Sequence, residues 1–431
     1  MDLYEDLKAR DFIYQATDQE TIADKVNNHN VTIYCGFDPT GDCLHIGHLI
    51  PLILLSKLKR EGHAVIAVVG GGTGHIGDPS GKTEARSVLS SEQLNYNCSM
   101  ISQQIDKFLC KTDGQHLVIN NLQWLKQLNL IEFLRKIGVN FSINKMLQAE
   151  SVKSRVNSEQ GLSFLEFSYM LLQAYDFYIL NKKYQCTVQI GGQDQWGNIV
   201  AGIDLVRRLS GKEVYGFTTP LLLSSTGEKY GKSVKGAVWL SPEKLSPYDF
   251  YQFWRNCDDA DVKKLLLKFT ELPLDEIEYL SNLTSPLINR SKEILAYEIT
   301  SLVHSPDLAA KAASASLKEF GAADPQGSVK TSSSIKNIKS DQAEIPALKL
   351  KDSDFKQGKI NIVTLLGLTE LVSSNSEAKR IIKQGGVYWR DQPISDYKID
   401  LSKEEFDKSN PVIRVGKKKR KKILVDSNSD N

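Results

Sequence analysis

Residues 31–48 read Val31-Thr32-Ile33-Tyr34-Cys35-Gly36-Phe37-Asp38-Pro39-Thr40-Gly41-Asp42-Cys43-Leu44-His45-Ile46-Gly47-His48. The first five are strand-favouring and end at a glycine. The last four place two histidines at i and i+3, one face of a helix whose pattern runs from His48 to Arg60. Pro51 need not break that helix if it falls in the first turn, where a missing N–H costs no helix bond. A helix start offers unbonded backbone N–H groups and the positive end of a dipole, a setting that suits a nucleotide phosphate. Taken alone, His-x-x-His is more often a plain surface helix. The surrounding chain carries the weight.

Two further runs repeat the plan. Ala64–Val69 ends in Gly70-Gly71-Gly72, and Cys186–Ile190 ends in Gly191-Gly192. With helical patterns between them, they predict an α/β fold built on a parallel sheet. Ligands on such sheets sit at the C-terminal strand ends, so all three glycine turns should border one crevice. Residues 1–30 read as a helical lead-in. From Pro247 to about Phe320 the pattern is helical, and 321–346, rich in Gly, Ser and Lys, reads as a linker.

At 431 residues the chain is too long for one ordinary domain. Hydrophobic content of 41% and aromatic content of 8% fit globular domains with real cores. No apolar run approaches the roughly 18 residues of a membrane span. The acidic start Met1-Asp2-Leu3-Tyr4-Glu5-Asp6 lacks a signal core, which predicts a cytoplasmic location. Six cysteines without Cys-x-x-Cys read as reduced thiols. The seven histidines show no metal-binding spacing, so no metal-ligating residues are assigned. From Lys356 onward, 16 Lys and Arg stand against 10 Asp and Glu, a net of +6. The whole chain carries +2, so the rest is −4. A basic C-terminal module on an acidic body is a nucleic-acid footprint. The run Lys417 to Lys422 (KKKRKK) carries much of it and reads equally well as a disordered solubilising tail.

Gly72-Thr73-Gly74-His75-Ile76-Gly77 imitates a dinucleotide fingerprint, but Asp78-Pro79-Ser80-Gly81 continues it as a turn where a helix would have to start. What remains is a glycine-rich wall that a ligand can approach closely. Phe164–Leu180 reads as a buried helix with one polar stripe, Tyr169, Gln173 and Asp176 at i, i+4 and i+7. Such a stripe costs stability unless something pairs with it. After the third strand, Asp194 is placed to accept from ribose hydroxyls. Far downstream, Lys229-Tyr230-Gly231-Lys232-Ser233 could bring two cations on a glycine-containing loop.

In this order, His45-Ile46-Gly47-His48 and Lys229–Ser233 resemble the HIGH and KMSKS signatures of class I aminoacyl-tRNA synthetases. The fuller matches, over about residues 1–415, resemble the bacterial-type tyrosyl-tRNA synthetases. The loop reads KYGKS rather than KMSKS, and Gly41-Asp42-Cys43 is a slight variant; neither removes a group with a role. The resemblance implies a Rossmann-like catalytic domain over 1–246, with a connecting and dimer region at about 120–160. A helical anticodon-binding domain over 247–320, a linker at 321–350 and a small α+β RNA-binding domain at 351–416 follow. The basic tail 417–431 is expected to be disordered.

The implied reaction is tyrosine activation by ATP, then transfer to tRNA(Tyr). Thr40, His45, His48, Lys82, Arg86, Lys229 and Lys232 would stabilise the departing phosphates. Tyrosine's ammonium would meet Asp78, Tyr169 and Gln173, its carboxylate Gln195, and its phenol Tyr34 and Asp176. Cys35, Gly36, Asp38, Gly47, Gly192, Asp194, Lys232 and Ser233 would bind ATP, whose Mg2+ would arrive with it. Two bonds to a phenol explain rejection of phenylalanine. Tyrosyl-tRNA synthetases are themselves the standard illustration of that rule, at about 10⁵. A tryptophan enzyme of similar fold, a non-catalytic RNA binder and a small-molecule adenylyltransferase are the alternatives.

Overall fold

The computed structural model describes residues 1–80, 89–149, 152, 156, 161–228, 230–233, 236–338, 347–369, 371–372, 374–390, 392–407, 411–416 and 419–425, excepting the side chains of 232, 233, 236, 347, 407 and 419. Two compact units result, one of 1–310 with 322–337 and one of 311–321 with 338–431.

The larger unit is organised by a six-stranded sheet: β1 (Gln15–Ala16), β2 (Thr32–Phe37), β3 (Ala64–Val69), β4 (His116–Asn120), β5 (Cys186–Gly192) and β6 (Tyr215–Thr219). Their order is β1-β6-β5-β2-β3-β4, all parallel except β1 against β6. The three strands legible in the sequence are the central ones. Covered on both faces, they are written as near-continuous apolar runs. β4 and β6 escaped that reading. β4 mixes exposed and half-buried residues at a sheet edge, and β6 is short, with Gly216 and two threonines. Chain order reverses between β2 and β5, which leaves a crevice at the C-terminal ends of those two strands.

The Ile46–Arg60 helix packs on β2, β3 and β5 through the fully buried Leu49, Leu52, Leu54, Leu55 and Leu58. Each such leucine stabilises the fold by about 1.5–3 kcal/mol. The helix starts at Ile46, two residues before the expected point, so Pro51 lies in the second turn. Lacking an N–H, it leaves the Gly47 carbonyl without its usual donor four residues on. The glycine-rich wall is a short 3₁₀ turn, Thr73–His75, and the next described helix begins only at Ser91. The expected polar-striped helix spans Phe164–Tyr184, opened by a Ser163–Glu166 capping box.

Beyond residue 246 the unit is helical. Ser246 caps Pro247–Arg255, with proline at the tolerated first position. Val262–Phe269, Leu274–Ser281 and Ile288–Val303 follow. Phe250, Trp254, Leu265, Leu266 and Ile294 form its buried interior.

The smaller unit holds a five-stranded sheet, in order Gln392–Ile394, Val387–Trp389, Val412–Val415, Lys419–Val425 and Ala347–Leu350, with helices Ile362–Leu368 and Asn375–Lys383. Two expectations are corrected here. Residues 419–425 of the supposed disordered tail form a strand, antiparallel to 412–415 and parallel to 347–350. The expected linker, 321–350, therefore ends inside the sheet. The charge run hid a strand because its apolar anchor, the fully buried Ile423, comes after the lysines. The Asn375–Lys383 helix, which carries Lys379, Arg380 and Lys383, stops just before Gly385, whose φ is +69°, and a strand follows at Val387.

No helix of the described residues is long and apolar enough to cross a membrane. All six cysteines are unpaired.

Candidate active site

A cavity of about 480 Å³ opens at the C-terminal ends of β2 and β5. Glycines expected at the strand ends reach it, Gly36 within β2, Gly70 just after β3, and Gly191 and Gly192 as the last residues of β5. Gly70 is required by close approach, since a methyl there would overlap Asp38 Oδ1 and Thr73 Oγ1.

One end is a narrow slot. Tyr34, from β2, packs edge-on against Phe177 at 5.1 Å between ring centroids and is almost wholly buried. Asp176, on the polar stripe, is buried as well. Its Oδ2 accepts from Asn121 Nδ2 at 2.9 Å and its Oδ1 from Trp124 Nε1 at 2.7 Å. Burial pushes its carboxyl up to about 7, with those two bonds pulling the other way. The Tyr34 hydroxyl is buried without a partner, and burial followed by the Asp176 charge holds it un-ionised. Gln173 Oε1 and Gln189 Oε1 are also buried and unpartnered. A buried polar group left without a partner costs about 1–3 kcal/mol, so a ligand that pairs with these three is favoured. Their gathering on one cavity is what a site shaped for a polar ligand looks like.

Hydrogen bonds link the slot to the middle of the cavity. Asn121 Nδ2 also reaches Thr73 Oγ1 at 3.0 Å, and its Oδ1 accepts from the Gly72 N–H at 2.7 Å. Thr73 donates to Asp38 Oδ1 at 3.2 Å, and the Tyr169 hydroxyl donates to Asp38 Oδ2 at 3.1 Å. Asp78 accepts from the Ser80 N–H at 2.9 Å and from Gln195 Nε2 at 2.6 Å. Gln195 was expected to meet an amino-acid carboxylate; here its amide N–H is given to Asp78 and its Oε1 accepts from Asn198 at 3.1 Å.

At the far end the Ile46–Arg60 helix begins. His45 is its N-cap and its Nδ1 accepts from the Gly47 N–H at 3.0 Å. The His45 N–H donates to His48 Nδ1 at 3.2 Å, and the rings lie 4.1 Å apart. With Nδ1 accepting, the neutral His48 ring carries its proton on Nε2. Burial, then His45, pulls His48 down to about 3. It is a neutral donor at ordinary pH and not a cation. Burial likewise pushes the Cys35 thiol up to about 12, so it stays an S–H.

The described part of the KYGKS loop borders the cavity through Tyr230 and Gly231. Lys232–Ser233 pairs with Gly236–Ala237. The Val238 N–H donates to Gly231 O at 3.1 Å, the Ile46 N–H to Val238 O at 3.0 Å and the Leu240 N–H to Leu44 O at 2.9 Å.

Of the residues predicted for the site, Tyr34, Cys35, Gly36, Asp38, Thr40, His45, Gly47, His48, Asp78, Tyr169, Gln173, Asp176, Gly192, Asp194 and Gln195 all line this one cavity. Lys82, Arg86 and Lys229 lie outside the described residues, as do the side chains of Lys232 and Ser233. The sequence reading missed Thr73, Gln189, Asn121 and Trp124. The last two follow β4, the edge strand it did not find. The signal available was Asn120-Asn121 closing a short apolar run.

Away from the cavity lining, Asp106, Cys110 and His116 bring three metal-ligating atoms within 4.8 Å of one another. His116 Nε2 faces Asp106 Oδ1 at 3.0 Å, but Lys59 Nζ stands 2.9 Å from Nδ1, and its ammonium opposes a cation on that ring.

Comparison with known proteins agrees with this geometry. The profile of the family described as tRNA synthetases class I (W and Y) matches residues 26–321. A tyrosine–tRNA ligase of Clostridium botulinum is 45% identical over 424 residues, covering 98% of this chain and 99% of its own. One from Clostridium tetani is 44% identical over the same length. The crystal structure of a C-terminally truncated mitochondrial tyrosyl-tRNA synthetase from Aspergillus nidulans superposes with a TM-score of 0.65 at 30% identity, over 72% of this chain and 92% of that one. A helix-start histidine pair, a lysine loop bonded to it and a cavity at the switch point of a parallel sheet are thus placed in a family by near full-length similarity: the chain belongs to the class I tRNA synthetases (W and Y).

Proposed function

We propose that the chain is an ATP-dependent tyrosine–tRNA ligase, and that the buried, unpartnered Tyr34 hydroxyl beside Asp176 is where the substrate phenol sits. The hydroxyl of tyrosine would accept from Tyr34 and donate to Asp176. Its ammonium would sit among Asp78, Tyr169 and Gln173, with Gln195 steadying Asp78. ATP would lie along Cys35, Gly36, Asp38 and Gly47, its ribose at Gly192 and Asp194, its phosphates toward the helix start and the loop carrying Lys232 and Ser233.

No protein nucleophile is needed. A carboxylate oxygen of tyrosine bonds to the α-phosphorus as the bond to pyrophosphate breaks, giving tyrosyl-adenylate. The protein positions the two and stabilises charge moving onto the leaving group. Thr40, His45 and His48 supply neutral donors, and Lys82, Arg86, Lys229 and Lys232 the cations. Asp38 and Asp78 already accept two bonds each, which fits a Mg2+ held by the triphosphate rather than by a protein cage. In the second step a terminal ribose hydroxyl of tRNA attacks the carbonyl and AMP leaves.

The smaller unit would grip tRNA. A hollow of about 360 Å³ there is lined by Asn361, Thr364, Asn375, Lys379, Tyr397 and Lys398. Lys379 and Lys383 sit over the Tyr397 ring at 5.7 and 5.4 Å. Cations around an aromatic face suit a nucleic-acid strand. Leu130, Ile131, Val139, Ile143 and Phe164 are largely exposed, apolar side chains of the kind that self-association covers. A homodimer is therefore part of the proposal, with a solution mass of twice the 48.2 kDa chain expected by light scattering. The unpaired thiols suit a reducing, cytoplasmic setting.

The test is exchange of labelled pyrophosphate into ATP. Exchange should require L-tyrosine and be negligible with tryptophan or phenylalanine; exchange driven by tryptophan would overturn the pocket assignment. Removing 338–431 should leave exchange within about twofold while tRNA charging at low tRNA falls by 10-fold or more, the scale of several lost phosphate contacts. Intact charging would remove the RNA role from the smaller unit.

A further inference from the structure

The KYGKS loop has an aromatic side chain whose use is visible in the packing. Tyr230 stacks on Trp254 with centroids 5.9 Å apart and planes 17° from parallel, and meets Phe253 edge-on at 5.7 Å. Trp254 is wholly buried and is fixed in turn by Phe250 at 6.0 Å and Phe269 at 5.1 Å. The ring of Tyr230 thus belongs to the helical interior, although it also borders the cavity. Burial, with Cys257, Asp261 and Asp258 nearby, keeps its hydroxyl un-ionised.

The next residue does the opposite job. Gly231 has φ of +85°, and a methyl there would overlap the side chain of Ile46. Its carbonyl takes the Val238 N–H, and Val238 O takes the Ile46 N–H. The Tyr230 N–H is tied to Leu222 O at 2.8 Å, just past β6. In two residues the chain steps from the helical interior to the first residue of the helix that bears His48. Lysine carries its charge on a long flexible stem, so its ammonium is placed only as well as its backbone is.

We propose that Tyr230 is a positioning residue for adenylate formation: its ring, clamped by Phe253 and Trp254, seats the backbone that carries Lys232 against Ile46. The seat of the signature loop is then the helical segment and not the sheet. This rests on the tyrosine-activating role proposed above.

Single-turnover formation of tyrosyl-adenylate tests it. Tyr230→Ala should slow that step on the order of 10²-fold, the cost of a misplacement near 1 Å, with tyrosine Kd unchanged. Tyr230→Phe keeps the stacked ring and should recover most of the rate. In a Lys232→Ala background, Tyr230→Ala should cost no more than about threefold further, because the group it acts through is gone. Full additivity with Lys232→Ala, a proportionate loss of tyrosine binding, or a wild-type rate in the alanine variant would each overturn the proposal. Thermal midpoints are measured alongside. If the alanine variant unfolds, Tyr230→Leu, which keeps apolar bulk without the ring, must show the loss, and a folded, fast leucine variant also overturns it. A wild-type protein without tyrosine-dependent exchange fails the functional reading and the anchor with it. An active wild type with unaffected variants fails the anchor alone.

Discussion

Asp176→Ala is expected to lower kcat/KM for tyrosine activation by about 10–10²-fold, because the substrate phenol loses a charged acceptor at roughly 1.5–3 kcal/mol and every 1.4 kcal/mol is a factor of ten. Asn121 Nδ2 and Trp124 Nε1 lose the same acceptor with or without substrate. At roughly 1.5 kcal/mol each, that should lower the stability of the fold by about 3 kcal/mol, read as a fall in the thermal midpoint. Tyr34→Phe isolates the milder half of the same pair. It should weaken tyrosine binding about tenfold, narrow the preference over phenylalanine by a similar factor and raise the thermal midpoint of the empty protein, since it deletes a buried hydroxyl that has no partner. Calorimetry with and without tyrosine reads both. Unchanged affinity in Tyr34→Phe would remove the phenol from this slot.

The same carboxyl sets a pH dependence. Its folded value of about 7 lies above the ordinary carboxylate value, so the folded protein binds the extra proton in the window between them. The stability it contributes is fully present below about pH 4 and is lost as the pH rises through about 7. A phenol donor favours the ionised form. Tyrosine should therefore bind more tightly as the pH rises through about 7, with proton release, and an affinity flat from pH 6 to 8 would contradict this.

His48→Ala is expected to slow adenylate formation by about 10²–10³-fold, the usual loss for one donor to a developing oxyanion, while tyrosine Kd stays within about twofold. His48→Gln, which can still accept the His45 N–H and donate an amide N–H, should lose less. Equal losses in rate and in binding would place His48 in the ground state rather than the transition state. Since burial and His45 hold the ring near 3, the rate should show no step from this residue around pH 6.5. The linkage runs opposite to that of Asp176. With the folded value below the unfolded one, the unfolded chain binds the proton, and stability falls as the pH drops from about 6.5 toward 3.

Much of the site was legible because its chemistry is local. His45 and His48 lie on one helix turn, Tyr169, Gln173 and Asp176 on one stripe, and the glycines at strand ends, so spacing alone aligns them. What was not legible came from partners far apart in sequence. Trp124 is committed to Asp176 from 52 residues away, and Gln195 to Asp78 from 117. Pattern at short range carries no trace of either. The strand at 419–425 failed for another reason: charged residues dominate its composition, while its pairing partners lie at 412–415 and 347–350.

The order of apolar runs, glycine turns and signature residues by itself determined the parallel sheet, the cavity at its switch point and the residues that gather there. Only the tertiary structure decided their protonation and their fixing. His48 is neutral because it is buried beside His45, Asp176 is raised because burial outweighs the pull of its two N–H donors, and Tyr230 is seated by the rings of a separate helix. Burial and long-range contact set those energies, and both are properties of the folded chain.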